Sequence, residues 1–141
     1  MSNAARSLVL VSCAVIALSS TGCTNLAANL LAGGEGPSVY ATDDDPELVR
    51  DAVPFGLKLQ EQVLQKTPEH QGLLTSLAKS YTQYAYGLVY PDSEAPGVTV
   101  AQAKEIRARV KKLLLRARGY GFRALDVSHP GFEEGVRKDR A

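Results

Sequence analysis

The stretch from Leu73 to Val89, LLTSLAKSYTQYAYGLV, constrains the fold more than any other part of the chain. Leu74, Leu77, Tyr81, Ala85 and Leu88 recur at steps of three and four, which puts them on one face of an α-helix. Leu73, Ala78 and Tyr84 widen that face, and a helix so apolar is covered on more than one side. The spacing predicts the central helix of an all-α domain, with neighbours before and after it carrying complementary stripes.

The preceding segment reads as a helix from about Pro46 to Lys66. Asp43, Asp44 and Asp45 stand before Pro46, and an Asp followed by Pro is a strong helix start. The acidic cluster lies at the positive end of the helix dipole, so capping accounts for it better than calcium, whose loop spacing is missing. Leu48, Ala52, Phe55, Leu59 and Val63 form the apolar stripe, and Pro54 predicts a kink or break near Asp51–Pro54. Thr67-Pro68-Glu69 ends this helix and begins the central one; so short a turn forces an antiparallel pair, in which Leu77 and Tyr81 should face Phe55 and Leu59.

After a loop at Tyr90–Val98, Thr99 and Gln102 form a capping box. Ala103, Ile106, Val110, Leu113, Ala117 and Tyr120 continue as an unbroken stripe. Gly119 and Gly121 are expected to end or bend this helix, leaving apolar surface near Leu114, Leu115 and Phe122. His129-Pro130-Gly131 breaks the chain, and Phe132 to Arg140 reads as a short charged helix. The sum is two antiparallel helical hairpins, the second incomplete, in the manner of an α-solenoid.

The N-terminus is not part of this domain. Arg6 is the sole charge in the first thirty-four residues. Leu8 to Leu18 is an apolar run too short to span a bilayer but suited to a signal-peptide core. Ser19, Ser20, Thr21 and Gly22 then lead to Cys23, which resembles a bacterial lipobox, although Ser20 stands where that pattern favours Leu. Residues 1–22 are read as a lipoprotein signal peptide and Cys23 as the lipid anchor; the alternative is an ordinary secretory signal with Cys23 a free thiol. Cys13 would leave with the signal, so the mature chain keeps one cysteine, at its first position, and can form no internal disulfide. Residues 23–42 are expected to be a tether, with Gly33, Gly34, Gly36 and Pro37 stopping any helical turns at Thr24–Ala32. Loss of Arg6 with the signal brings the formal net charge from +1 to zero, and nothing overall points to nucleic acid.

No constellation carries catalysis: no Ser/His/Asp order, phosphate loop or paired carboxylates stand out. His70 and His129 each sit beside a Pro turn without a second ligand at metal spacing, which favours turn capping. The cations from Lys104 to Arg118 fill the positions between the apolar stripe and read as a solvated face; an anionic lipid or partner surface is the alternative. Tyr81, Tyr84 and Tyr86, with Tyr90, cluster at the end of the central helix; they are either core with hydroxyls at its edge or a ligand or partner face.

Asp43-Asp44-Asp45-Pro46-Glu47-Leu48-Val49-Arg50, Pro54-Phe55-Gly56-Leu57-Lys58, Pro68-Glu69-His70, Gly72-Leu73-Leu74, Thr82-Gln83-Tyr84-Ala85-Tyr86, Arg116-Ala117-Arg118 with Tyr120-Gly121, and His129-Pro130-Gly131-Phe132 appear in the order and spacing of a known family. The chain resembles the T component of tripartite ATP-independent periplasmic (TRAP) transporters, the TatT-like lipoproteins. The resemblance implies a lipid-anchored, tetratricopeptide-like protein of the bacterial periplasm, sorted to the outer membrane. It implies pairing with a periplasmic substrate-binding subunit, a small apolar ligand, homotrimers, and no enzyme activity or cofactor. The family's ligand cleft and trimer contacts draw on helices beyond the His-Pro-Gly-Phe segment, and this chain matches the N-terminal half. The competing expectations are a transporter accessory and a structural or interaction lipoprotein, or a truncated fragment of the family.

Overall fold

The structure, a computed structural model, describes residues 24–33 and 39–139. The signal segment 1–22, Cys23 and the glycines at 34 and 36 lie outside the described residues. Every regular element among those described is helical: α1 (residues 24–32), α2 (Val39–Thr42), α3 (Pro46–Leu64), α4 (Gln71–Gln83), a π-helical segment (Tyr84–Val89), a 3₁₀ segment (Tyr90–Glu94), α5 (Val100–Ser128) and α6 (Phe132–Lys138). The all-α class expected from the sequence is therefore what the structure shows. Helices α3 and α4 form one hairpin, and α4 with α5 forms the next, so α4 is shared and central.

The start of α3 is set by Asp45, whose carboxylate accepts from the N–H groups of Glu47 (3.1 Å) and Leu48 (3.0 Å), with Pro46 in the first turn. The expected break at Pro54 does not occur. The helix runs through it, at the cost of one ladder hydrogen bond to the carbonyl of Arg50, with Val53 buried before the proline and Leu57 after it. The stripe assigned to α3 is corrected as well. The buried residues are Val53, Leu57 and Leu64, with Val49 packed against them, whereas Leu48, Phe55 and Leu59 face outward and Phe55 is 73% exposed. Leu77 and Tyr81 are buried, but Phe55 and Leu59 are not on the face that covers them.

The core centres on α4, where Leu73, Leu74 and Leu77 have no exposed surface and Tyr81 is almost fully buried. His70 caps this helix: its Nδ1 accepts from the Leu73 N–H at 3.0 Å. Beyond Gln83 the chain widens into π-helix, where Ala85 and Val89 are buried and Leu88 is half-buried against the core.

Helix α5 opens with the complete capping box, Thr99 Oγ1 accepting from Gln102 N–H (3.3 Å) and Gln102 Oε1 from Thr99 N–H (2.9 Å). It then runs for 29 residues, continuing through Gly119 and Gly121. The expectation that these glycines end the helix is corrected: Gly121 lies against Ala78 of α4, and buried Ala117 and Ala124 flank it. Packing of α5 on α4 around Gly121 offsets a propensity cost of about 1 kcal/mol per glycine; Gly119 is exposed, and a Cβ there would touch nothing. Leu115 is exposed, as expected of the far side of α5, while Leu114 and Phe122 are half-buried. Gly131, at φ 84°, turns the chain into α6, which has no buried residue and touches α5 through Phe132 on Phe122, 6.3 Å between ring centres.

Residues 24–32, read from sequence as part of a tether, are docked. Ala28 of α1 has no exposed surface, Asn29 Oδ1 meets His70 Nε2 at 2.9 Å, and the Leu31 carbonyl accepts from Gln60 Nε2 at 3.1 Å. Because His70 Nδ1 already accepts, its Nε2 carries the hydrogen and donates to Asn29. Further along, Tyr40 sits so close over Gly56 that a Cβ there would lie 2.7 Å from its hydroxyl.

Candidate functional site

The inner face of α3 carries one residue that does not belong in an apolar stripe. Val53, Leu57, Glu61 and Leu64 follow at steps of four, four and three, so Glu61 is aimed at α4 and α5. Its side chain is 18% exposed. Tyr81 of α4 and Tyr120 of α5 both donate their hydroxyls to Glu61 Oε1 at 2.7 Å, and Lys58 Nζ reaches Oε2 at 2.6 Å. Arg116 donates from Nη1 to the Tyr81 hydroxyl at 3.2 Å and stands 3.6 Å from Glu61 Oε1. The two tyrosine rings stack at 5.8 Å, with the Arg116 guanidinium 5.4 Å from the Tyr81 ring centre and that of Arg123 5.8 Å from Tyr120.

The electrostatics follow from this geometry. Burial pushes the Glu61 carboxyl upward, but the hydrogen bonds from Lys58, Tyr81 and Tyr120 outweigh it and hold the group below the ordinary carboxylate range. Burial, and then the bond to Glu61, push both tyrosine hydroxyls above their ordinary value. Lys58 is raised by its bond to Glu61. The carboxylate is thus held ionised by three hydrogen-bond donors, and the hydroxyls stay protonated. Through these bonds the group ties three helices together.

A shallow open groove of about 330 Å³ lies beside this cluster, between the end of α3, the turn at Pro68 and α5. Its rim includes Arg116, Tyr120 and Arg123, the last donating to the Pro68 carbonyl at 2.9 Å. A second open hollow of about 440 Å³ lies at the start of α5, between Val98, Val100 and Arg107. Among the described residues no group of three or more His, Cys, Asp or Glu could hold a metal ion, and no helix is long and apolar enough to cross a membrane.

The three tyrosines singled out in the sequence do not share a face. Tyr81 and Tyr84 are buried, with Tyr84 accepting from Arg109 Nη2 at 3.0 Å, while Tyr86 is 66% exposed and stacks on Tyr90 at 5.3 Å. Two residues further round a helix point away from the core. Glu61, Lys58 and Arg123 were missed; the signal was the carboxylate at a core position of the Val53–Leu64 register. Of the basic run, Arg109 and Arg116, though exposed, hydrogen-bond the hydroxyls of Tyr84 and Tyr81, Arg107 pairs with Glu94 at 2.7 Å, and Lys104, Lys111 and Lys112 are exposed.

Residues 42–141 match the family model described as TRAP transporter T-component. The chain belongs to this family. A relative, an uncharacterized protein of Treponema pallidum (strain Nichols), is 31% identical over 99 residues, which make up 70% of this chain and 31% of that protein. The chain thus spans about a third of the length of the curated relative it matches. No solved structure matches. The match begins at Thr42, the last residue of α2, and takes in the whole of α3 to α6, so the Glu61 cluster lies wholly within the family region.

Proposed function

We propose that this protein is the accessory T component of a TRAP-type transporter in the bacterial cell envelope, held in the periplasm by lipid on Cys23 and docking a periplasmic substrate-binding subunit. The family match over residues 42–141 carries this reading. It favours a binding partner over an enzyme, in keeping with a Glu61 carboxylate whose donors Lys58, Tyr81 and Tyr120 all come from the chain itself. The burial of Tyr81 and Tyr84, with their hydroxyls engaged, favours docking a protein over holding a small apolar ligand between them. An interaction scaffold without ligand is therefore the second reading; a homotrimer and an outer-membrane address belong to the first by family resemblance.

Two measurements test the proposal. Crosslinking in intact cells followed by purification of the chain should recover the TRAP substrate-binding subunit; its absence, with the chain folded and abundant, rejects the accessory role. Mass spectrometry of the N-terminal peptide should find Cys23 diacylated at the mature terminus, and Cys23→Ser should move any released protein to the soluble fraction. An unmodified Cys23 rejects the anchor.

A further inference from the structure

Helix α1 is arranged the wrong way round for a helix in water. Its side against the domain is mostly small: Ala28 is fully buried and Ala27 and Ala32 are half-buried, with Leu31 half-buried against the core beside them. Two of its three leucines, Leu26 and Leu30, face away from the domain, 72% and 81% exposed. On a helical wheel they lie within about 40° of each other and opposite Ala28, so they form one outward ridge. No charged residue occurs between Thr24 and Gly33 to keep that ridge wet. A soluble helix places its large apolar residues inward, and a clustered outward set marks a surface that something covers.

The helix is not loose. The Asn29–His70 and Gln60–Leu31 hydrogen bonds pin it to α4 and α3, and the Ala32 side chain packs so closely that a Cβ at Gly72 would meet it at 3.4 Å. The leucine ridge is thus a fixed part of the domain surface. Its place in the chain says what covers it. Thr24 directly follows Cys23, and Leu26 is three residues on, so at most about 11 Å of chain separates the anchor residue from the ridge. An acyl group on Cys23 inserted in a bilayer brings that ridge to the lipid surface, where apolar side chains without charges sink into the boundary between headgroups and chains.

We infer that the outward face of α1, Leu26 and Leu30, is a membrane-contact surface that seats the domain against the phospholipid bilayer in a fixed orientation. The inference rests on the lipid-anchor reading of Cys23. A lipid on a free tether would let the domain tumble above the membrane; a docked α1 lying in the interface sets which side faces the bilayer and which faces partners.

The chain contains no tryptophan, so one introduced residue reports alone. Leu30→Trp in the full lipidated chain, reconstituted in vesicles of phosphatidylethanolamine and phosphatidylglycerol, should emit at shorter wavelength than in detergent-free buffer. Brominated phospholipid should quench most of that emission. Val100→Trp is the control. Gln71 Nε2 hydrogen-bonds Ser128 Oγ, so the end of α5 lies near α1, and Val100 starts α5 about 40 Å away along its axis. Its emission should remain that of water and unquenched. An unquenched Leu30→Trp in chains that float with the vesicles overturns the inference, as does equal quenching at both positions. Emission already blue without lipid, with self-association by sedimentation, puts a second copy on the ridge and also overturns it. The same samples are weighed by mass spectrometry at Cys23. In the uncut Cys23→Ser chain the apolar run 8–18 holds the protein at the vesicle instead, so quenching there with an unmodified wild-type Cys23 keeps this inference while rejecting the anchor.

Discussion

Single side chains in this protein differ sharply in what they hold. Leu77 has no exposed surface, so Leu77→Ala should destabilise the domain by about 2–5 kcal/mol in urea unfolding. Phe55, a larger residue on the next helix, is mostly exposed, and Phe55→Ala should change stability by less than about 0.5 kcal/mol. Equal effects would show that the α3 register is wrong. Glu61 makes a different prediction. Its folded carboxyl lies below the ordinary range, so its stabilising contribution is complete above the unfolded carboxylate range and is lost as pH falls through the folded value. Tyr81 and Tyr120 lie above their ordinary value of 10.0, so theirs is complete below that value and is lost as pH rises through the folded one. Stability measured against pH should decline at both ends, and in Glu61→Gln the acid decline should shrink. An unchanged acid limb in that variant counts against the cluster.

At the scale of elements, the hairpins depend on their ends. The His70 ring serves two helices at once, capping α4 through Nδ1 and holding α1 through Nε2. His70→Ala should cost about 1 kcal/mol for the cap and, in addition, loosen α1; hydrogen exchange at residues 24–32 reads the second effect separately. His70→Asn restores a cap acceptor but cannot reach Asn29 in the same way, so it should recover stability without recovering protection of α1. Thr99→Ala, which removes one arm of the capping box on α5, should likewise cost about 1 kcal/mol in thermal or urea unfolding.

Across the whole molecule, burial is concentrated on α4 and fades outward. Helix α5 packs along α4 more extensively than any other pair of elements does, whereas α6 buries nothing. Native-state hydrogen exchange should therefore find the amides of α4 opening only with global unfolding and those of α6 exchanging by local fraying. Uniform protection across α4 and α6 would contradict that gradient. Polar links tie the periphery to this centre: Arg50 reaches Asp92 from α3 through both carboxylate oxygens, at 3.0 and 2.9 Å. Half-exposed pairs of this kind orient the 3₁₀ segment more than they stabilise it.

The sequence by itself determined where helices start and which residues lie centrally in α4. Those properties follow from local chemistry: Asp45 and Thr99 accept from N–H groups within three residues, and the Leu73–Tyr81 spacing is a property of one helix. The family, too, was legible in short motifs spread from Asp43 to Phe132. Tertiary structure decided the rest. Helix α3 has two apolar stripes of the same period, Leu48–Phe55–Leu59 and Val53–Leu57–Leu64, and nothing local distinguishes them. The second is buried although it contains Glu61, because two tyrosines from helices distant in sequence satisfy that carboxylate; the apolar pattern alone argued for the other. In the same way α5 continues through Gly121 where it packs on Ala78 of α4, and residues 24–32 are docked because Gln60 and His70 bind their polar groups. A choice between two equivalent helix faces is made by the surface that covers one of them, and that surface exists only in the folded molecule.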